Sequence, residues 1–395
     1  MAWKTLKELK LKGSRVLMRV DFNVPISYHG EIADDTRIRS ALPSIEHITG
    51  SEASLVLMSH MGRPDGRRDS SLSLEVAAHK LGELTDYPVK FVDDCVGEKV
   101  EKMVSGLQPG EILLLENLRF YPGEKDNDPG FASRLAKWGD IYVNDAFGTA
   151  HRAHASTVGV PILFERKGAG FLLEKELRIL GSLLEDPERP FVAVLGGVKI
   201  SSKVKLIENL AGLVDRVIIG GAMAFTFFKA AGLETGDSIV NDDYLRMCRE
   251  LMETRDEQGI KKILLPVDVV VAEDTDGYSE FRTVSSGDIP EGWVGVDIGE
   301  KSIEMFAGEL SGAGTIFWNG PMGIFENEDF AEGTRAVAGA IAESGARTVV
   351  GGGDSVSALN SIHLAGSIDH ISTGGGASLT LLEGSVLPAV SALEG

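Results

Sequence analysis

Residues 191–203 read Phe-Val-Ala-Val-Leu-Gly-Gly-Val-Lys-Ile-Ser-Ser-Lys. The first five residues are all apolar, and the pair Gly196 and Gly197 ends the run. A short unbroken apolar run of this kind is typical of a parallel strand that is buried on both faces of its sheet. A glycine turn directly after the run is typical of a loop that leads from a strand into a helix. The stretch therefore predicts one βα unit of a parallel α/β fold.

The same pattern repeats along the chain, where short apolar runs alternate with polar or glycine-rich segments and helix-like stretches. The predicted strands are 15–20, 55–59, 112–115 and 141–143 in the first half, and 191–195, 216–219, 263–265, 315–318 and 348–350 in the second half. Apolar residues at helical spacing over 171–184 predict a long helix after a junction at 160–170. The predicted fold class is α/β, with two doubly wound, Rossmann-like parallel-sheet domains joined by a hinge helix.

Composition excludes several classes of protein. The chain has 395 residues, of which 43% are hydrophobic and 25% are charged, as in globular proteins. Its apolar runs are too short to span a bilayer, and its N-terminus lacks the apolar core of a signal peptide. Two cysteines, Cys95 and Cys248, lie far apart in the chain, which is typical of a reduced protein. We therefore expect a cytoplasmic protein that does not bind membranes.

Charge is distributed unevenly between the two halves. Residues 1–170 carry 22 Lys and Arg against 24 Asp and Glu, whereas residues 171–395 carry 17 against 35. The isoelectric point near 4.9 argues against binding to nucleic acid, which requires a basic field. The first half can still hold a local basic pocket. The acidic second half would have to bind an anion through backbone amides, a few lysines or a metal ion.

Basic and polar side chains follow the predicted strands of the first half. They are Asp21, Asn23, Arg37, His60, Arg63, Arg119, His151, Arg152 and His154. Segments that follow parallel strands meet at one edge of the sheet, so these residues would face a common crevice. Arginine forms paired hydrogen bonds with phosphate and carboxylate groups, which predicts a site for a small polyanion. The alternative is that each arginine pairs with a nearby surface acid.

Glycine-rich loops follow the predicted strands of the second half, at 196–197, 220–221, 351–353 and 374–376. Each loop would open a helix, and helix N-termini offer free amides to phosphate groups. These loops predict a nucleotide site, although glycine turns can also be purely structural. Lys199 and Lys203 are four residues apart at a predicted helix start, so we expect them to share a face and bracket phosphates. Asp354 would either cap a helix or bind Mg²⁺.

Several common fingerprints are absent from the sequence. We find no G-x-x-x-x-G-K-[ST] motif of P-loop proteins, no G-x-G-x-x-G motif of dinucleotide-binding proteins and no G-x-S-x-G nucleophile elbow. His151 and His154 have the spacing of a ligand pair, but no third ligand accompanies them, so no metal site is predicted there.

Taken together, the motifs resemble the phosphoglycerate kinase family over almost the whole chain. In the first half they are Arg19-Val-Asp21-Phe-Asn23-Val-Pro25, Ser59-His60-Met-Gly-Arg63-Pro64, Glu116-Asn117-Leu-Arg119-Phe120 and Asn144-Asp-Ala-Phe-Gly-Thr-Ala-His151-Arg152-Ala-His154. In the second half they are Leu195-Gly-Gly-Val-Lys199-Ile-Ser-Ser-Lys203, Trp318-Asn319-Gly-Pro321-Met-Gly323-Ile-Phe-Glu326, Gly351-Gly-Gly-Asp354-Ser355 and Ser372-Thr-Gly374-Gly-Gly376. Departures from the usual pattern are Met61 for leucine, Val198 for a smaller residue and Ser355 for threonine, and none removes a charge.

The resemblance implies a two-lobed enzyme of glycolysis and gluconeogenesis that acts as a monomer. It would transfer a phosphoryl group reversibly between ATP and 3-phosphoglycerate with Mg²⁺, giving ADP and 1,3-bisphosphoglycerate. Transfer would be direct and in line, after hinge closure. Residues 1–170 with about 384–395 would bind the phosphoglycerate, and 171–383 the nucleotide. Two alternatives stay open: a non-catalytic protein that binds anions or nucleotides, and a dinucleotide-dependent dehydrogenase.

The resemblance also implies roles for individual residues. The phosphoglycerate would be bound by Asp21, Phe22, Asn23, Arg37, His60, Met61, Gly62, Arg63, Arg119 and Arg152. The nucleotide would be bound by Gly196, Gly197, Lys203, Gly220, Asn319, Glu326, Gly352, Gly353, Asp354 and Ser355, with Asp354 also at the Mg²⁺ ion. Arg37, Lys199 and the glycine loops at Gly352 and Gly375 would stabilise the phosphoryl group in transit.

Overall fold

The chain forms two compact units in a computed structural model that describes residues 3–276 and 280–394. The first unit comprises Met1–Ile179 and Val386–Gly395, and the second comprises Leu180–Ser385. The predicted domain ranges also include residues that lie outside the described ones, namely Met1, Ala2, Gly277, Tyr278, Ser279 and Gly395. No helix among the described residues combines the length and apolar character that crossing a membrane requires. Both cysteines are buried free thiols.

A parallel sheet forms the centre of the first unit. Its strands are β1 (Arg15–Arg19), β2 (Ser54–Met58), β3 (Val89–Val92), β4 (Ile112–Leu115), β5 (Ile141–Asn144) and β6 (Lys167–Ala169). Within the described residues the sheet has six strands in the order β3-β4-β2-β1-β5-β6, and every pair is parallel. Strands β2, β4 and β5 are buried along their whole length. The sequence prediction of doubly buried strands is confirmed here.

A second parallel sheet forms the centre of the second unit. The strands of this unit are β7 (Phe191–Leu195), β8 (Arg216–Ile219), β9 (Glu234–Thr235), β10 (Ile263–Leu264), β11 (Asp268–Ala272), β12 (Phe281–Ser285), β13 (Asp288–Ile289), β14 (Val294–Ile298), β15 (Thr315–Asn319), β16 (Arg347–Val350) and β17 (His370–Ile371). The main sheet of the described residues has the order β10-β8-β7-β15-β16-β17. The predicted α/β class with two parallel sheets is therefore confirmed.

Helices cover both sheets. In chain order they are α1 (Thr36–Gly50), α2 (Glu75–Leu84), α3 (Glu98–Ser105), α4 (Pro122–Lys125), α5 (Pro129–Ala136), α6 (Phe171–Glu185), α7 (Val204–Leu213), α8 (Met223–Ala230), α9 (Leu245–Met252), α10 (Glu300–Ser311), α11 (Glu332–Glu343), α12 (Gly353–Ser361), α13 (Gly376–Leu382) and α14 (Pro388–Ser391). In the first unit, α1 buries Ile38, Ile45 and Ile48 in a core shared with β1 and β2. The boundary between the units falls within α6, the long helix that the sequence predicted.

One part of the second unit was not predicted from the sequence. Strands β12, β11 and β14 form a small antiparallel sheet. Strand β12 is mostly exposed, so it lacks the continuous apolar run that marks the parallel strands. Strand β11 is largely buried, and its apolar residues are compatible with either kind of sheet. Only the hydrogen-bond pattern distinguishes the two.

The start of α6 is held by a buried carboxylate from the end of β5. Asp145 Oδ1 accepts hydrogen bonds from the backbone N–H groups of Leu172 (2.8 Å) and Leu173 (3.1 Å). Burial raises the pKa of Asp145 to about 7, although these two hydrogen bonds oppose the rise. Gly170 allows this close approach, because a Cβ atom there would lie 2.3 Å from Asp145 Oδ1.

We expect Gly170→Ala to destabilise the protein by about 1–3 kcal/mol, because the new methyl group displaces the capping carboxylate. Gly181→Ala, within α6, is the control, since no described atom would lie within 4 Å of its added Cβ. That control should be neutral or stabilising by up to about 1 kcal/mol, the difference in helix propensity. Urea unfolding of both variants measures the two effects. Equal stabilities would contradict the assigned role of Gly170.

Candidate functional site

Three loops at the carboxyl edge of the first sheet are joined by side-chain hydrogen bonds. Arg37, in the first turn of α1, donates through Nη1 to Asp21 Oδ2 (3.2 Å) and to the backbone carbonyl of Asn23 (3.0 Å). Asn23 Oδ1 in turn accepts from the N–H of Gly62, at 2.8 Å. Arg119 donates through Nη1 to the carbonyl of Gly62, at 2.6 Å. The loops after β1, β2 and β4 are thereby held together at one edge of the sheet.

Arg119 is positioned by a short 3₁₀ turn over Leu118–Phe120. Asn117 opens this turn, and its Oδ1 accepts from the N–H of Arg119 at 3.0 Å. The amide group of Asn117 also donates to the carbonyls of Met61 (2.7 Å) and Leu72 (2.9 Å). One amide side chain therefore holds the arginine turn against the loop after β2. The Nε atom of Arg119 is buried and has no partner among the described residues.

Positive charge accumulates in this part of the first unit. Burial and the neighbouring cations Arg152 and Arg19 lower the pKa of Arg119 to about 10. Burial and the same group of arginines lower the pKa of His154 to about 4 and that of His60 well below its usual range. Like charges oppose further protonation, so both histidines are neutral at pH 7. A cluster of this kind is complementary to a small anion with several negative oxygens.

The remaining predicted residues of the first unit differ in their exposure. Phe22 and Met61 are buried. Arg152 is half-buried and donates through Nε to His151 Nε2 at 3.2 Å. Arg63 is exposed and makes no hydrogen bond or ion pair within the described part of the chain.

A buried network behind these residues was missed by the sequence analysis. Arg19, on β1, donates through Nε to Ser156 Oγ at 2.9 Å. Ser156 donates through Oγ to Glu124 Oε1 at 2.6 Å, and its backbone N–H donates to Oε2 at 2.9 Å. All three residues are buried. The signal that could have revealed Arg19 is a charged residue inside an apolar strand.

In the second unit, glycine loops meet at the ends of β7, β8 and β15. The N–H of Gly196 donates to the carbonyl of Asn319 at 3.0 Å, and that of Gly220 donates to the carbonyl of Leu195 at 2.8 Å. The backbones approach so closely that a Cβ atom on Gly196 would lie 2.0 Å from the carbonyl oxygen of Pro321. Packing alone therefore requires glycine at residue 196.

Lys203 and Lys199 have different environments, which corrects the prediction that they share a helix face. A 3₁₀ turn, Ile200–Ser202, separates them, and α7 begins only at Val204. Lys203 turns inward, and its Nζ donates to the carbonyls of Gly196 (2.6 Å) and Asn319 (2.8 Å). Burial lowers the pKa of Lys203 to about 8. Lys199 is exposed and makes no side-chain contact of this kind within the described residues.

A cavity of about 380 Å³ lies beside these loops within the second unit. Its walls include Gly197, Glu326 and Asp354, which the sequence predicted for nucleotide binding. Its apolar walls include Phe225, Val269, Val296 and Met322, which the sequence analysis did not assign. Two of these side chains come from the antiparallel sheet, so the failure to predict that sheet also left this wall unassigned. An enclosed apolar surface with a few polar groups suits a planar base.

The loop after β16 opens helix α12. Gly352 has φ +94° and Asn319 Nδ2 donates to the carbonyl of Gly351 at 2.7 Å, so this loop is tied to β15. Ser355 is buried, and its Oγ accepts from the N–H of Gly320 at 2.6 Å, whereas Gly353 is exposed. Gly375, with φ +37°, opens α13, for which no contact with the cavity is recorded in the described residues.

Asp354 has the properties expected of a residue that shares a Mg²⁺ ion with a nucleotide. It is exposed, lines the cavity and makes no hydrogen bond or ion pair within the described residues, so both oxygens are available. Those residues contain no group of three or more His, Cys, Asp or Glu side chains able to hold a metal ion. Mg²⁺ commonly binds through one or two carboxylates together with substrate phosphates, and the donor set fits that mode.

Sequence comparisons show which known proteins this chain is similar to. The sequence model of the family described as phosphoglycerate kinase matches residues 6–385. The chain is 54% identical to a phosphoglycerate kinase of Chlorobium phaeobacteroides over all of both chains. It is 52% identical to that of Moorella thermoacetica, covering 100% of this chain and 99% of the relative.

Solved structures of phosphoglycerate kinases are also similar to this chain over nearly its whole length. The structure of phosphoglycerate kinase from Coxiella burnetii aligns with a TM-score of 0.89 and 38% identity, over 99% of this chain and 98% of that one. Phosphoglycerate kinase from Pyrococcus horikoshii aligns with a TM-score of 0.83 and 32% identity, over 98% of each chain.

The cationic cluster of the first unit predicts a specific response to inorganic phosphate. Bound phosphate should raise the pKa of His154 from about 4 toward its ordinary value, because the anion offsets the charge of the surrounding arginines. A histidine NMR titration with and without phosphate measures this change. His29, on an exposed loop, is the internal control, and its resonances should be indifferent to phosphate. An unchanged titration of His154 would contradict the anion site.

Proposed function

Because the chain belongs to the phosphoglycerate kinase family, we propose that it catalyses reversible, Mg²⁺-dependent phosphoryl transfer between ATP and 3-phosphoglycerate, giving ADP and 1,3-bisphosphoglycerate. Members of this family are phosphotransferases with a carboxyl group as acceptor. Family membership sets aside the dehydrogenase and the non-catalytic alternatives. The proposal includes a glycolytic and gluconeogenic role as a cytoplasmic monomer.

The observation that carries the proposal is the cationic cluster in the first unit. Arg37, His60 and Arg119 come from three different segments of the chain, and burial together with like-charge neighbours lowers the pKa values of the last two. 3-Phosphoglycerate carries a phosphate and a carboxylate, and therefore supplies the negative charge that this cluster lacks. Arginine donors would bind both groups through charge-assisted hydrogen bonds. Asp21 and Asn23 would hold Arg37 in place and accept hydrogen bonds from the hydroxyl group of the substrate.

Binding of ATP is assigned to the second unit. The adenine base would occupy the cavity beside Gly197 and Met322, and Glu326 at its rim would accept hydrogen bonds from the ribose. Lys203 and the amides of the loop around Gly352 would contact the phosphates. Asp354 would hold the Mg²⁺ ion, which neutralises charge on the phosphates when it is bound.

The chemistry requires positioning rather than proton transfer. The acceptor carboxylate is ionised at pH 7, so it attacks the γ-phosphorus without a general base. Arg37 would orient the attacking carboxylate, and Lys199 with the amides at Gly352 and Gly375 would stabilise the phosphoryl group in transit. Because acceptor and donor are assigned to different units, in-line transfer requires hinge closure, which also excludes water from the acyl phosphate.

The reaction itself is tested by trapping the acyl phosphate with hydroxylamine. Product that forms only when 3-phosphoglycerate, Mg²⁺ and ATP are all present would support the proposal. A folded protein that binds ATP but forms no trapped product would overturn it.

Arg37→Ala should lower kcat by about 10²–10³, because one group that stabilises transferring charge is lost. Arg39→Ala is a matched control in the same helix. Arg39 is exposed and pairs with Asp35, at 2.8 Å. Removal of the Arg39 side chain should therefore change kcat by less than about twofold. Steady-state kinetics of both variants measures the difference. A kcat of Arg37→Ala near that of the wild type would contradict the role assigned to Arg37.

Nucleotide affinity should depend on pH through Lys203. Its free-state pKa of about 8 means that the ammonium form, which phosphate prefers, predominates below this pH and is progressively lost above it. The affinity for ADP should therefore fall as the pH rises through about 8. Calorimetry on both sides of this pH measures the change. Lys203→Met should remove the dependence, whereas Lys205→Met, an exposed neighbour, should retain it.

A further inference from the structure

Arg19 is a wholly buried cation that lies behind the predicted phosphoglycerate site and was assigned no role above. It is 1% exposed. Its Nε donates to Ser156 Oγ at 2.9 Å, its Nη1 donates to the carbonyl of Val20, and its Nη2 lies 3.1 Å from His60 Nδ1. All three nitrogens of the guanidinium group are therefore engaged. These contacts hold the side chain in its orientation.

The contact with His60 determines which nitrogen of the imidazole carries the proton. A guanidinium group has only donors, so at 3.1 Å from Arg19 Nη2 the Nδ1 atom of His60 must be the acceptor. A neutral imidazole that accepts at Nδ1 carries its proton on Nε2. His60 Nε2 makes no hydrogen bond within the described part of the chain. The free nitrogen is therefore a donor.

The groups around His60 keep it neutral. Burial and the cations Arg19, Arg119, Arg152 and Arg37 all oppose protonation and lower its pKa. The one carboxylate recorded close to it among the described residues is that of Asp21, whose Oδ1 lies 3.8 Å from Nδ1. That distance is too long for a hydrogen bond. Asp21 therefore does not compete with Arg19 for Nδ1.

We propose that Arg19 is a positioning residue, which fixes His60 as the Nε2–H tautomer so that this N–H donates to an anionic oxygen of the bound phosphoglycerate. The proposal rests on the proposed function for the identity of the ligand. The tautomer, however, is a property of the free protein. With the proton on Nδ1 instead, Nε2 would present a lone pair to the anion and repel it.

Ser156 and Glu124 keep Arg19 in this orientation. The hydroxyl of Ser156 accepts from Arg19 Nε and donates to Glu124 Oε1. It therefore bridges the two buried charged groups through hydrogen bonds. The network belongs to the first unit and lies behind the anion site. It explains why an arginine occurs inside a buried strand, where an apolar side chain would otherwise be expected.

The first test is the protonation state of His60 in the free wild-type protein. Histidine-labelled protein gives ¹⁵N shifts and ¹⁵N–¹H couplings for both ring nitrogens, and the His60 signals are identified by their loss in His60→Gln. We expect a proton on Nε2 and an unprotonated Nδ1 throughout the neutral range. A proton on Nδ1 would overturn the proposal, whatever the enzyme's activity.

Variants test the cause. Arg19→Met should shift the tautomer balance of His60 and raise the KM for 3-phosphoglycerate about tenfold, the loss of one oriented hydrogen bond, with the KM for ATP unchanged. Arg19→Lys should restore part of both effects, because an ammonium group still donates. Ser156→Ala removes only the support behind Arg19, so it should shift the tautomer balance less than Arg19→Met does. Arg39→Met is the control, because Arg39 is exposed and pairs with Asp35, and its His60 should keep the proton on Nε2.

The outcomes separate this inference from the proposed function. A correct tautomer in a protein that forms no acyl phosphate would leave Arg19's role intact and overturn only the reaction. An active enzyme in which a folded Arg19→Met variant keeps the wild-type tautomer and KM would overturn the role of Arg19. Circular dichroism establishes whether each variant is folded, and the wild-type spectrum decides the tautomer if Arg19→Met does not fold.

Discussion

The first unit holds several positive side chains close together, and the buried carboxylate of Glu124 supplies part of the counter-charge. Its two oxygens accept from Ser156, which also accepts from Arg19. Breaking a buried ionic network by removing one member typically costs about 3–5 kcal/mol, so this arrangement is strongly constrained. One carboxylate does not neutralise the whole cluster. Burial and this excess positive charge together lower the pKa of Arg119 and His154, and an anionic ligand would offset the part that is due to charge.

How well the fold was predicted depended on burial. Strands such as β4 are covered on both faces, so every residue is apolar and the sequence marks them clearly. Strand β6, Lys167–Ala169, contains a lysine and a glycine, and β3 is only partly buried, so neither carries that signal. The exposed strand β12 was not predicted either, because it also lacks a continuous apolar run. Patterns of hydrophobicity therefore found the centre of each sheet and the edge strand β10, and missed the edge strands β3, β6 and β17 and the antiparallel addition.

The site could be predicted where function depends on a residue's place after a strand. Arg37 and Arg119 are hydrogen-bonded to loops that follow neighbouring strands, because the edge of a parallel sheet gathers those loops. Ser156 and Glu124 gave no signal, because their partnership joins segments that only the folded chain brings together. The shared face predicted for Lys199 and Lys203 was wrong. The spacing rule assumes an α-helix, and a 3₁₀ turn separates the two residues.

The acidity of the second half bears on how it would bind a nucleotide. Residues 171–395 carry 17 basic against 35 acidic side chains, so the long-range field does not attract an anion. Surface charge is screened beyond about 10 Å, whereas contacts inside a pocket are not, so short-range donors must supply the attraction. Lys203 donates to two backbone carbonyls, and an ammonium group has three N–H donors. One donor remains for a phosphate oxygen, on a side chain that the carbonyls already orient. Binding a phosphate there would restore the full charge that burial weakens, which couples ligand affinity to the protonation of this single lysine.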